Sequence, residues 1–302
     1  MPAPNQLRFL FVTGKGGAGK TTVSAALALA MARAGRRVLI ATSGAKPRTA
    51  ELVGSAALST QIEPLRHNLW GVLLTPEVAL REYGTLVLKS PRLVEALFDN
   101  KYVQGFFNGA PGLKEWALLG KAWYHTTETL SDGRPRFDVV IFDAPATGHG
   151  LDMLRVPKVI LSAAPPGRLR TDAERAFSFL RDPSKSGVVV VTLPEEMPTN
   201  ETLELVSALR DDLALPITEI VLNSALTPLF SDTERAALEP LSDSQASDSV
   251  LAAASRRAAA ERTQSECITR LNAIKVPVRQ LLRLHGGAST PDAVMELSRQ
   301  LA

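Results

Sequence analysis

The chain is poor in several things, and each scarcity narrows what it can be. One cysteine, Cys267, stands in 302 residues. It cannot close an internal disulfide and belongs to no metal-binding cysteine motif, so it reads as a reduced thiol in a cytoplasmic protein. The four histidines, His67, His125, His149 and His285, are scattered. No His/Cys/Asp grouping has metal-ligand spacing, no Ser-His-Asp arrangement stands out, and His67, His125 and His285 read as exposed. No apolar run is long enough to cross a membrane, and residues 1–6 carry no apolar signal core. Neither sign of charge dominates. Thirty-four Lys and Arg face 31 Asp and Glu, a formal net charge of +3, which does not call for nucleic acid. The closing helix expected at 292–301 mixes Asp292, Glu296 and Arg299 and has no basic face for a membrane surface. Neither an internal repeat nor a low-complexity linker is visible.

What remains is an ordinary globular composition, 45% hydrophobic and 22% charged. One stretch organises it. Residues 11–22 read Phe-Val-Thr-Gly-Lys-Gly-Gly-Ala-Gly-Lys-Thr-Thr. Gly14, Gly19, Lys20 and Thr21 fit a phosphate loop: Gly, four residues, then Gly-Lys-Ser/Thr. An apolar run at 7–12 precedes it as a strand, and an Ala-rich run at 22–34 follows as a helix that Gly35 can stop. Gly14, Gly16, Gly17, Ala18 and Gly19 let successive backbone N–H groups curl around a polyanion at the helix N-terminus. Lys20 is placed to bridge terminal phosphates, and Thr21, followed by Thr22, to offer a hydroxyl to Mg²⁺. A glycine turn without a ligand is the bland alternative, and it leaves the agreement of strand, spacing, Lys, Thr and helix unexplained.

Further strand runs at 36–42, 69–74, 137–143, 158–163, 187–193, 217–222 and 274–278 alternate with helical stretches. They predict an α/β protein with a doubly wound, mainly parallel sheet, 1–302 forming a single domain. Residues 76–130 depart from this pattern and lack a strand run. Val94, Leu97, Phe98, Tyr102 and Phe106 recur at helical spacing, as do Trp116, Leu119 and Trp123 on a second helix. This stretch reads as a helical insertion whose apolar faces either pack together or line a groove for an apolar client. Helical additions are expected near 165–185, where Arg168, Arg170 and Arg175 read as a solvated face, and near 226–272. The run ending in Asp143 is a second phosphate-site element: Asp143 either holds Mg²⁺ or caps the following helix. Thr147, Gly148 and His149 then lie in a Gly- and Pro-rich loop with the composition of a nucleotide-ordered switch.

Lys15 narrows the match. Lys-Gly-Gly-x-Gly-Lys-Thr-Thr resembles the deviant phosphate loop of dimeric ATPases such as the nitrogenase iron protein and the Min, partition and arsenical-pump ATPases. Residues 15–22, the Asp-x-x-x-Thr-Gly-His of 143–149, Leu154-Arg155-Val156-Pro157, Pro194-Glu195-Glu196, Glu201-Thr202 and Leu222-Asn223 occur in the order seen in one family. By these motifs the chain resembles a bacterial form of the arsenical-pump and tail-anchored-protein targeting ATPases, over essentially its full length. The resemblance implies ATP and Mg²⁺ sandwiched between two subunits, with Lys15 reaching across to the partner's nucleotide. It implies that Asn223 reads the adenine edge, where the bland alternative is a helix cap. It also implies that a loop after the last strand, with Pro277 and Val278, closes over the base.

Two departures from the family follow. Its switch I reads Asp-Pro-Ala-His, and the Asp orients the attacking water; here Ser43-Gly44-Ala45-Lys46 stands instead. Serine is a poor proton acceptor, so hydrolysis by the chain alone is in question. Lys46 either pairs a phosphate or is solvated. The second departure is metal. The paired Cys-x-x-Cys zinc motifs and the arsenite-binding cysteines of other members are missing, and the chain corresponds to one half of the double-length pump ATPase. The expectation is a homodimer, or a heterodimer with a related subunit that keeps the switch I Asp. A partition- or septum-type ATPase on DNA or membrane, or a non-hydrolysing scaffold, are the alternatives.

Overall fold

A computed structural model describes residues 7–44, 48–100, 105, 109–145, 147–238 and 249–301; of residues 147–149 and 249 only the backbone is described. The described strands form one eight-stranded sheet in the order β3-β4-β2-β5-β1-β6-β7-β8. They are β1 (Phe9–Gly14), β2 (Val38–Ser43), β3 (Glu63–Arg66), β4 (Leu69–Leu74), β5 (Val139–Asp143), β6 (Ser186–Thr192), β7 (Ile217–Ala225) and β8 (Val278–Leu282). All neighbours pair in parallel except the edge pair β3–β4.

The sheet is apolar on both faces because successive strand residues point to opposite sides. Phe9 and Phe11 of β1 enter one core with Val140 and Phe142 of β5 and Val188 and Val190 of β6. Leu10, Val12, Ile141, Val189 and Val191 enter the other. On that second face lies α1 (Lys20–Arg33), whose small side chains let it pack closely between the sheet and α11 (Pro291–Gln300). The short α2 (Thr49–Leu52) packs beside them.

The first face carries α6 (Thr147–Ala163), α7 (Arg168–Arg181) and α8 (Glu196–Ser207), the last continuing into a π turn over Ala208–Asp212. The stretch 76–130 supplies α3 (Pro76–Leu88), α4 (Pro91–Phe98) and α5 (Leu113–Tyr124). Thr75 and Ser90 cap α3 and α4 by accepting from Val78 N and Leu93 N, with proline at each first helical position. Ala79, Leu80, Val94, Phe98 and Ala117 form a small core of their own. Leu119 instead enters the sheet core, while Trp116 meets Val156, Ala173 and Ala176 of α6 and α7. Tyr102 and Phe106 lie outside the described residues. Near β7 run α9 (Asp232–Leu238) and α10 (Ser249–Ala273).

Several expectations need correction. Residues 158–163 end α6 rather than forming a strand. A six-residue apolar run does not separate strand from buried helix, and Pro157, which reads as a break, sits inside the helix. The last strand is Val278–Leu282, not 274–278, because Ile274 belongs to the turn after α10 and Lys275 takes a positive φ of 56°. The edge strand β3 was not expected; its residues Glu-Pro-Leu-Arg carry no strand signal. His125 is buried, 2% exposed, and bonded through Nδ1 to Glu128 at 2.7 Å.

Candidate functional site

The carboxyl ends of β1, β2, β5, β6 and β7 meet at one edge of the sheet, and the loop between β1 and α1 lies there. Strand β6 runs so close that a Cβ on Gly14 would stand 2.0 Å from the Val191 carbonyl oxygen. Gly19 opens α1 at φ 89°, and a Cβ there would meet the Asn223 amide nitrogen at 2.3 Å. Both positions therefore require glycine. Between them the Ala18 N–H closes a turn on the Lys15 carbonyl at 3.2 Å. The N–H groups of Gly16, Gly17 and Gly19 have no acceptor among the described residues.

Lys20 folds back over this turn, its ammonium donating to the Lys15 carbonyl at 3.1 Å. Burial pushes its pKa below the ordinary lysine value, and the Asp143 carboxylate opposes that shift. Asp143 accepts from the Thr21 hydroxyl at 2.8 Å and from the Ser24 hydroxyl at 3.1 Å. Burial pushes its carboxyl up from the usual aspartate range, against those hydroxyl bonds and the Lys20 charge. A buried carboxylate and hydroxyl beside a phosphate loop form a hard-oxygen donor set suited to Mg²⁺. The buried hydroxyls of Thr13 and Ser43 have no hydrogen-bond partner among the described residues. Ser43 sits one residue beyond Thr42, which pairs with Asp143 across the sheet. The residues present thus fit a phosphate chain with a divalent cation, and Ser43 adds no carboxylate.

Lys15 is turned away from its own loop: its ammonium pairs with Glu201 of α8 at 2.7 Å. Asn223 donates from its amide to the Ala18 carbonyl at 2.9 Å, so it props the loop rather than capping a helix. Thr22 follows Thr21 in the first turn of α1, half-buried. Lys46 lies outside the described residues, and Thr147, Gly148 and His149 are known only as backbone in the first turn of α6. The expected switch loop is thus mostly helix. Gly150 packs that turn onto β1, where a Cβ would stand 2.8 Å from the Thr13 hydroxyl.

Pro277 and Val278 do not join the cluster. Val278 pairs with Ile220, at the entry end of β8, whereas Asn223 and the loop lie at the exit end. In a parallel sheet the loop on the exit side follows Leu282, and misplacing that strand by four residues moved the candidate to the wrong edge. Sequence reasoning also missed Ser24 and Thr13. Ser24 could have been found, since it follows Thr21 by three residues and so shares its helix face.

A profile of the anion-transporting ATPase family matches residues 7–164, just over half of the chain. The ATPase BagA of Mycobacterium tuberculosis is 29% identical over 229 residues, covering 72% of this chain and 65% of the relative. A putative arsenical pump-driving ATPase of Halobacterium salinarum is 28% identical over 245 residues, 75% of this chain and 37% of the relative. An arsenical pump-driving ATPase of Escherichia coli is 26% identical over 224 residues, 68% and 37%. The match therefore spans less than two thirds of the mycobacterial relative and little more than a third of the pump ATPases.

Proposed function

The chain belongs to the anion-transporting ATPase family, and from that premise we propose that it binds Mg-ATP at the phosphate loop and works as a nucleotide-driven dimer with a weakened hydrolytic step. The observation that carries the reading is the hydrogen bond from Thr21 to the buried Asp143 carboxylate, with Lys20 folded over the loop beside it. Phosphates would be held by the free N–H groups of Gly16, Gly17 and Gly19, by the first turn of α1 and by Lys20. Thr21 and Asp143 would hold a Mg²⁺, whose chemistry is to neutralise charge on the phosphates.

Dimerisation rests on Lys15. Its partner Glu201 is 37% exposed at the side chain. An ion pair this open is worth about 0–1 kcal/mol, so a second subunit's phosphates would compete for the ammonium. The weakened hydrolysis rests on Ser43, whose unpaired hydroxyl occupies the position of a water-orienting carboxylate. A related subunit bringing that carboxylate would restore turnover, which gives the heterodimer its motive. The exposed Leu86, Leu88, Leu93 and Leu97 on α3 and α4 support an apolar client at the insertion. No described helix is long and apolar enough to cross a membrane.

Sedimentation velocity with and without Mg-ATP tests the dimer. The expected result is a nucleotide-dependent doubling of mass that Lys15→Ala removes without loss of ATP binding. A monomer at saturating Mg-ATP, with or without a related subunit, would overturn it.

A further inference from the structure

A second cavity lies away from the phosphate loop, between the helical insertion and α7. Its volume is about 830 Å³, within the range of small-molecule sites. Tyr83, Trp116, Trp123 and Tyr124 give it aromatic walls, and Leu80 and Leu86 add aliphatic surface.

The charges around this cavity are mostly spent on each other. Arg81 pairs with Glu95 at 2.8 Å, Lys121 pairs with Glu82, and Glu128 accepts from His125. Asp172 holds Arg168 at 3.0 Å and accepts from the Tyr83 hydroxyl at 3.2 Å. That leaves Arg175, which has no hydrogen-bond or ion-pair partner among the described residues.

Trp123 and Arg175 line both this cavity and a neighbouring one of about 630 Å³, so they stand on the border between the two. Glu174 lines the neighbouring cavity and not this one, which leaves the aromatic chamber with one unanswered positive charge. We propose that this cavity binds a small amphipathic monoanion, a carboxylate on an alkyl or aryl body. The body lies among Tyr83, Trp116 and Tyr124, and the carboxylate sits at the border against Arg175. The site is independent of the nucleotide reading. Its walls are helices of the insertion and α7, and none of its residues touches the phosphate loop.

The test is titration of the purified full chain with decanoate and with 2-naphthoate, followed by tryptophan fluorescence and calorimetry, with decylammonium as the charge control. Saturable one-to-one binding of at least one carboxylate is expected, and decylammonium should bind at least about tenfold more weakly. Arg175→Gln changes an exposed side chain and should weaken carboxylate binding by about tenfold. Gly120→Leu fills the chamber from α5. A Cβ there meets only the Trp116 ring, at 3.8 Å, so the helix tolerates it, and binding should be lost while the melting temperature and ATP binding stay unchanged. Failure of both carboxylates to bind overturns the proposal. So does equal affinity for decylammonium, or undiminished binding by a Gly120→Leu chain that melts like the wild type.

Discussion

At the loop edge of the sheet, buried polar groups hold one another: Asp143 takes two hydroxyl bonds, Lys20 caps a carbonyl, and Asn223 props the loop. Around the insertion cavity the polar groups pair along the rim and leave the interior to aromatic rings. The first arrangement is stiff before any ligand arrives, and its cost is a buried carboxylate with a raised pKa. The second leaves volume unfilled. The loop edge should therefore respond to charge changes, and the insertion to changes of volume.

Four substitutions at the loop edge break or sharpen this contrast. The largest effect is expected from Ser43→Asp. Restoring a carboxylate at the water-positioning place should raise Mg-ATP turnover by roughly 10²-fold, the lower end of what a positioned general base supplies. Lys20→Ala comes next. It removes a charge-assisted contact worth about 1.5–3 kcal/mol, so ATP should bind roughly 10- to 150-fold more weakly in a calorimetric titration. Neither change should alter carboxylate binding in the insertion cavity.

Asp143→Asn separates binding from stability. Because burial raises the folded-state pKa, the folded chain holds this proton more tightly than the unfolded one. The ionised group therefore opposes folding at neutral pH, and that opposition fades as the pH falls through the folded-state pKa and is gone below the unfolded value near 3.8. The variant should melt at the same or a higher temperature at pH 7 and lose the extra stability conferred by Mg²⁺ with ATP. The gap in melting temperature should close in acid. A lower melting temperature at pH 7 would mean that the hydroxyl bonds outweigh the buried charge.

The smallest effect is expected from Glu201→Gln. Releasing Lys15 from a half-open ion pair should change stability by no more than about 1 kcal/mol. It should also lower the ATP concentration at which the dimer forms in sedimentation velocity. A dimer that forms less readily would make Glu201 part of the interface rather than a hold on Lys15.

The two regions also differ in how far the sequence exposes them. The phosphate loop is local: a strand, a spacing and a helix written within 25 residues, so Gly14, Lys20 and Thr21 could be read directly. Asp143 could be read because it ends an apolar strand. Pro277 and Val278 fall at the wrong edge because a base-closing loop follows the exit end of a strand, and the apolar residues Ile274 and Val276 belong to the turn before β8. The aromatic cavity was not legible at all. Arg175 reads as solvated and is exposed, and only the packing of α3, α5 and α7 brings it to a cavity that Trp123 also lines. His125 misled for the same reason: its burial depends on tertiary contacts, not on its neighbours in sequence.

Steady-state Mg-ATP turnover of the purified chain, measured beside Ser43→Asp and with Lys20→Ala as the contamination control, tests the central claim most directly. The wild-type chain should bind ATP but turn it over far more slowly than Ser43→Asp. Brisk wild-type turnover that Lys20→Ala abolishes and Ser43→Asp leaves unchanged would contradict it, because the chain would then supply its own water-positioning group.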